Sequence, residues 1–217
     1  MANVLYIHGM GGGADSRIPL ILQECFSSSH PLASGRKEDD ISIVCRTYDF
    51  DPEKASGQIS SWIEELKPVL IIGESLGALH AIRVKDIPHL FVSPALNTSF
   101  YFELLAWLSL IPGITWMFDR IYKPRDGDRQ PLHFTFRTLR KYMRHRSEAL
   151  KNSSSSGSPD VFHAFFGRHD HYRKSGIVCI RTWEKYFGKT YTVYDGTHFM
   201  EEEIVRTLLV NKIKEFL

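Results

Sequence analysis

Pro68-Val69-Leu70-Ile71-Ile72-Gly73-Glu74-Ser75-Leu76-Gly77-Ala78-Leu79 decides the reading of this chain. Val69 to Ile72 is an uninterrupted apolar run, as expected of a parallel strand covered on both faces. The run meets Gly-x-Ser-x-Gly and then turns helix-like. A sharp strand-to-helix turn leaves little room beside its middle residue, which accounts for Gly73 and Gly77. Such a turn lifts the Ser75 hydroxyl above the end of a sheet and sets it at a helix N-terminus. The amide of Leu76 then points where an oxyanion would form on a substrate. The plain alternative is a glycine-rich turn that happens to hold a serine.

Outward from this turn, strand and helix patterns alternate. Val4 to Ile7 reads as a buried strand that ends in His8-Gly9-Met10-Gly11-Gly12-Gly13, where backbone can approach a ligand closely. Asp15-Ser16 is placed to cap a helix to about Phe26, and 27–40 is polar and loop-like. A strand from Ile41 to Tyr48 stops at Asp49-Phe50-Asp51-Pro52. A helix follows from about Ala55 to Lys67, with Ile59, Trp62, Ile63 and Leu66 at helical spacing. The helix after Ser75 reaches about Lys85, and His89 to Ser93 is the next strand. Strand character resumes at Val161 to Phe166. A helix from about Arg173 to Phe187, a strand from Thr190 to Tyr194 and a helix from Glu201 to Leu217 follow. The alternation predicts an α/β fold with a mostly parallel, doubly wound sheet. Residues 97–158 carry no strand. They are expected to form a helical cap insertion within one domain spanning 1–217, with 152–158 as a flexible linker.

The 217 residues are enough for one sizeable core, and 43% hydrophobic and 24% charged residues are ordinary globular usage. The net charge of +2 names no partner, but its distribution is uneven. From Arg120 to Lys151 the chain carries +7, leaving −5 for the rest. A helix expected from about Leu132 to Leu150 sets Phe136, Leu139 and Tyr142/Met143 on one stripe. Arg137, Arg140, Lys141 and Arg144 fall largely off it, as on a solvated face. The expectation is weak attraction to acidic membrane surfaces at most, and no nucleic-acid partner, because no recognition module accompanies the charge. The crowded aromatics from Phe100 to Phe118 either line an apolar acyl pocket or pack the insertion onto the body. Cys25, Cys45 and Cys179 have no metal-type spacing and no leader-like segment is read at the start, so a reducing, cytoplasmic setting is expected.

A serine nucleophile needs a base, a group to orient that base, and donors for the oxyanion. His198 follows the last strand in Asp195-Gly196-Thr197-His198-Phe199, where a base belongs. His80 lies inside a helix and His163 inside a strand, positions that suit packing. Asp170, in Phe166-Gly167-Arg168-His169-Asp170-His171, is the preferred acid. Asp195 is the rival, although its spacing suits a turn with Gly196. His169-Asp170-His171 invites a zinc reading, but no further ligand set accompanies it. The Met10 amide is the natural second oxyanion donor, and His8 is expected to brace its loop. The glycine-rich loop lacks the spacing of the nucleotide-binding patterns.

Taken together, the His8-Gly9-Met10-Gly11 loop, the Gly73-Glu74-Ser75-Leu76-Gly77 turn, Asp170 and His198 resemble the α/β-hydrolase superfamily, whose chain order is also Ser, Asp, His. The start at His-Gly-x-x-Gly and Val92-Ser93-Pro94-Ala95-Leu96-Asn97 look like the small bacterial YqiA-like esterases, although 97–151 is bulkier than such compact proteins carry. The resemblance implies Ser75 as nucleophile, His198 as base, Asp170 as acid, and the Met10 and Leu76 amides as oxyanion hole. It implies a small-molecule acyl ester or thioester as substrate, with no cofactor and no metal. A ligand-binding protein that keeps the pocket without turnover, or an amidase or peptidase, are the alternatives left open. The oligomeric state is not legible.

Overall fold

The computed structural model describes residues 2–27, 41–124, 127–155 and 162–217. Six strands form one sheet: β1 (Ala2–Ile7), β2 (Ile41–Cys45), β3 (Leu70–Glu74), β4 (His89–Val92), β5 (Phe162–Gly167) and β6 (Tyr191–Tyr194). Their spatial order is β2-β1-β3-β4-β5-β6, and every pairing is parallel. Strand alternation divides the core into two layers. Leu5, Ile7, Ile71, Phe91, Ala164 and Phe166 face one side. Val4, Tyr6, Leu70, Ile72, Leu90, Val92 and Phe165 face the other. Both faces are therefore covered, and the apolar runs of the sequence follow from that.

Helices α1 (Arg17–Ser27), α2 (Pro52–Leu66) and α3 (Gly77–Ala81) connect the first four strands. Helix α2 starts three residues before the expected Ala55. The Asp51 carboxylate accepts from the Glu53 amide and Pro52 opens the helix, so the residues read as a strand stop are its N-cap. Helix α3 ends at Ala81, short of Lys85, because Asp86 at a φ of 63° and Pro88 turn the chain into β4. Strand β2 likewise ends at Cys45, before Tyr48. The loop expected over 27–40 lies, beyond Ser27, outside the described residues.

Between β4 and β5 come α4 (Thr98–Leu108), α5 (Ile114–Ile121) and α6 (Phe136–Ser155). Helix α6 packs on α4 and touches α2, α3 and the helix over 180–187, with Leu139 and Tyr142 fully buried as its stripe requires. Its backbone stays helical through Ser155, so the expected linker begins no earlier than residue 156; its remainder, 156–158, lies outside the described residues. The single helix expected over 173–187 is two, α7 (Tyr172–Ser175) and α8 (Ile180–Phe187). Gly176 breaks it in the left-handed region at a φ of 79°, and the Asn97 side chain donates to the Gly176 carbonyl at 2.9 Å. The last helical stretch holds α9 (Glu202–Ile204), a π-helical turn (Val205–Leu209) and α10 (Val210–Phe216).

Candidate active site

In this strand order the chain leaves β1 toward β2 and returns to β3 on the opposite side. The crevice beyond the carboxyl ends of β1 and β3 is thus a topological switch point. Parallel register puts Gly73 beside Ile7 and Gly167 beside Tyr194. The loops after β1, β3, β5 and β6 therefore emerge at one edge, and they carry Met10, Ser75, Asp170 and His198.

Ser75 sits in the left-handed region at a φ of 48°, unfavourable for a residue with a Cβ. Its backbone is held on both sides. Its amide donates to the Val92 carbonyl at 2.9 Å, and its carbonyl accepts from Ala95 at 3.0 Å and Ala78 at 3.2 Å. The flanking glycines are sterically required. A Cβ on Gly77 would lie 2.3 Å from the Ile7 carbonyl oxygen, and one on Gly73 would lie 2.9 Å from the Ala81 Cβ.

The Ser75 Oγ lies 2.9 Å from His198 Nε2, and His198 Nδ1 lies 2.8 Å from Asp170 Oδ2. His198 and Asp170 are each 3% exposed. The other Asp170 oxygen accepts from the Tyr172 amide at 2.8 Å. A carboxylate only accepts, so the pairing assigns the imidazole proton to Nδ1 and leaves Nε2 free to accept from the serine hydroxyl. Asp195 is elsewhere: it is mostly exposed and meets His169 Nε2 at 2.9 Å. His171 packs on the Tyr172 ring, so the three side chains of His169-Asp170-His171 take separate partners. Among the described residues no group of three or more His, Cys, Asp or Glu side chains could hold a metal ion. His80 is buried in α3, and His163 meets the Thr192 hydroxyl at 2.9 Å across β5 and β6.

The loop after β1 is braced from below. The His8 ring is within 2.7 Å of the Gly9 carbonyl and stacks on Tyr48 with centroids 4.3 Å apart. Burial pushes the His8 pKa down to about 4, so the ring is neutral and its Nδ1–H donates. The Tyr48 hydroxyl donates to the His8 carbonyl at 2.6 Å. Gln130 also holds this loop, and motif reading does not reveal it. It is fully buried, accepts from the Gly11 amide at 3.1 Å and donates to the Tyr48 carbonyl at 3.1 Å. A glutamine 119 residues away in sequence, inside the helical insertion, has no local pattern that ties it to this loop.

Ser75, His198, Met10 and Leu76 all line one cleft of about 330 Å³. The amides of Met10 and Leu76 donate to no acceptor among the described residues. Ile18, Tyr172, Ile177 and Phe199 add apolar wall, while Arg17, Glu74 and Arg129 add charge. Arg17 is held by the Phe199 and Met200 carbonyls and Arg129 by Asp15. Of the two roles open to the aromatics from Phe100 to Phe118, lining the cleft is not the one seen: from 97–155 the cleft takes only Thr98 and Arg129. Phe102 and Phe118 are buried against Phe134, while Phe100, Trp107 and Trp116 are exposed.

No protein-family model matches the chain, and no curated protein matches it. Solved structures do. A monoacylglycerol lipase from Paleococcus ferrophilus superposes with a TM-score of 0.63 at 18% identity, covering 99% of this chain and 95% of its own. Est1E from Butyrivibrio proteoclasticus, solved with ferulic acid bound, gives 0.62 at 16% identity over 99% and 89%. A bromoperoxidase from Bacillus anthracis gives 0.63 at 10% identity over 99% and 91%.

Proposed function

The chain has the α/β-hydrolase fold, and on that scaffold we propose that it is a serine hydrolase cleaving carboxylic esters, thioesters included. The reading is carried by one observation: Ser75, His198 and Asp170 are joined by hydrogen bonds of 2.9 and 2.8 Å at the floor of a cleft.

Ser75 Oγ attacks the acyl carbon as its proton passes to His198 Nε2. Asp170 holds the Nδ1–H and stabilises the imidazolium. The Met10 and Leu76 amides donate to the oxyanion, a contribution of about 3 kcal/mol per donor in comparable sites. His198 then protonates the leaving alkoxide or thiolate, and water releases the acyl group by the same steps in reverse order. At about 330 Å³ the cleft is at the small end for such sites, which favours short acyl chains.

A fluorophosphonate probe should label Ser75 stoichiometrically, and Ser75→Ala should lose roughly a factor of 10⁴ or more in turnover of short esters. An ester panel should show turnover falling as the acyl chain lengthens. Near wild-type turnover by Ser75→Ala would defeat the assignment. An unlabelled, inactive wild type that still binds acyl ligands would favour a binding protein.

A further inference from the structure

Helices α4 and α5 present apolar side chains to solvent in a regular pattern. On α4 and the turn after it, Phe100, Tyr101, Leu104, Trp107, Leu108 and Ile111 are exposed, at intervals of one, three and four residues. Those intervals trace one helical face. The opposite face buries Phe102 and Ala106 in the core. On α5, Trp116, Met117 and Ile121 are exposed while Phe118 is buried. Trp116 is 66% exposed, Ile121 62%, Leu104 61% and Trp107 57%. Single exposed apolar residues are ordinary, but two consecutive helices whose buried Phe102 and Phe118 both pack on Phe134, and which each leave several large apolar side chains bare, make a surface that water does not favour.

Its rim is cationic. The Trp107 and Phe136 rings are 5.4 Å apart, which sets the first turn of α6, with Arg137 and Arg140, beside the α4 stripe. Arg120 lies over the Trp116 ring at 5.6 Å, and Lys123 follows α5. Of the acids nearby, Glu103 pairs with Arg140, and the Asp119 carboxylate, 3.6 Å from His133 Nδ1, is outnumbered by the cations around it. Arg120, Lys123 and Arg137 have no carboxylate partner among the described residues. An apolar face with tryptophans and a tyrosine, flanked by unneutralised cations, matches a bilayer surface of apolar interior and anionic headgroups. A second copy of the chain would bring the same positive rim against itself. Among the described residues no helix is long and apolar enough to cross a membrane, so the face lies on the surface.

We propose that the α4–α5 pair docks this protein onto membrane surfaces that contain anionic phospholipid. The docking does not depend on catalysis, and Ser75→Ala should bind as the wild type does. The test is co-sedimentation with phosphatidylcholine vesicles, alone and with about one-third phosphatidylglycerol. Retention should be stronger on the anionic vesicles, and salt should remove that increment while leaving an apolar remainder. Trp107→Ser with Trp116→Ser should lower partitioning by at least about tenfold, with circular dichroism and short-ester turnover unchanged. In the wild type, brominated lipid should quench tryptophan fluorescence. No retention, or equal partitioning by the double variant, overturns the inference. A concentration-dependent dimer that the double variant abolishes, without vesicle retention, would assign the face to a second copy and overturn it equally.

Discussion

Acidification from about pH 7 to about pH 5 should remove a large share of the stability of this fold, because it buries neutral histidines. His8 and His89 are fully buried and His145 is 5% exposed. Burial pushes the pKa of each from the ordinary 6.5 down to about 4. His80, with neither ring nitrogen partnered, is pushed well below the ordinary value by the same cause. Between about 4 and 6.5 the unfolded chain takes up protons that the folded chain refuses, so acid favours unfolding. This stability is present above 6.5 and is lost as the pH falls toward 4. At pH 5 the loss is about 2 kcal/mol per site, or about 6 kcal/mol for the three, against a typical total of about 5–15 kcal/mol. His80 adds in the same direction. The lowered carboxylates, Asp51, Glu65, Glu148 and Glu201, lose their contributions only below their ordinary values of 3.8 for Asp and 4.5 for Glu, outside this window. Urea unfolding followed by circular dichroism at the two pH values reads the difference. His89→Phe keeps a ring stacked between Phe91 and Phe162 and removes one proton site, so its pH-dependent loss should be smaller by about 2 kcal/mol. Equal wild-type stability at both pH values, or an undiminished loss in His89→Phe, would refute the reasoning.

Three further outcomes follow from the site. Asp170→Asn should cut ester turnover by about 10⁴, by imposing the wrong imidazole tautomer, whereas Asp195→Asn should stay within about twofold; equal effects in a steady-state assay would place the orienting acid elsewhere. Gly167→Ala should cost about 100-fold or more in turnover and lower the melting temperature. Its Cβ would lie 2.3 Å from the Thr197 carbonyl oxygen and push the loop that carries His198. Ser75→Gly should abolish probe labelling yet raise stability by about 1 kcal/mol, because the φ of 48° is strained for serine. A lower melting temperature would show that the hydrogen bond to His198 outweighs that strain.

Several of the residues that converge at the cleft carry a local pattern in the sequence. Gly73 and Gly77 mark the turn because their missing side chains are a steric demand of that turn. Asp170 and His198 each follow an apolar run, and strand ends are where a parallel sheet gathers its loops. Helix ends were read less well, since Asp51-Pro52 both stops an extended segment and starts α2, and only the Glu53 amide on the Asp51 carboxylate separates the two. Gln130 was invisible because its partners, Gly11 and Tyr48, lie far off in sequence. The aromatic insertion stays ambiguous for a related reason: residue type says that a side chain is apolar and leaves open whether protein or solvent lies above it.

Hydrophobic periodicity and turn chemistry, both properties of neighbouring residues, were enough to specify the strands, the Gly-x-Ser-x-Gly turn and the order of the reactive groups. Which carboxylate meets the imidazole, which side chains wall the cleft and which face of α4 is left bare were decided by packing between distant segments. Local forces act over one or two turns of chain, whereas the 2.8 Å between Asp170 and His198 depends on the register of β5 against β6, and only the assembled sheet sets that register.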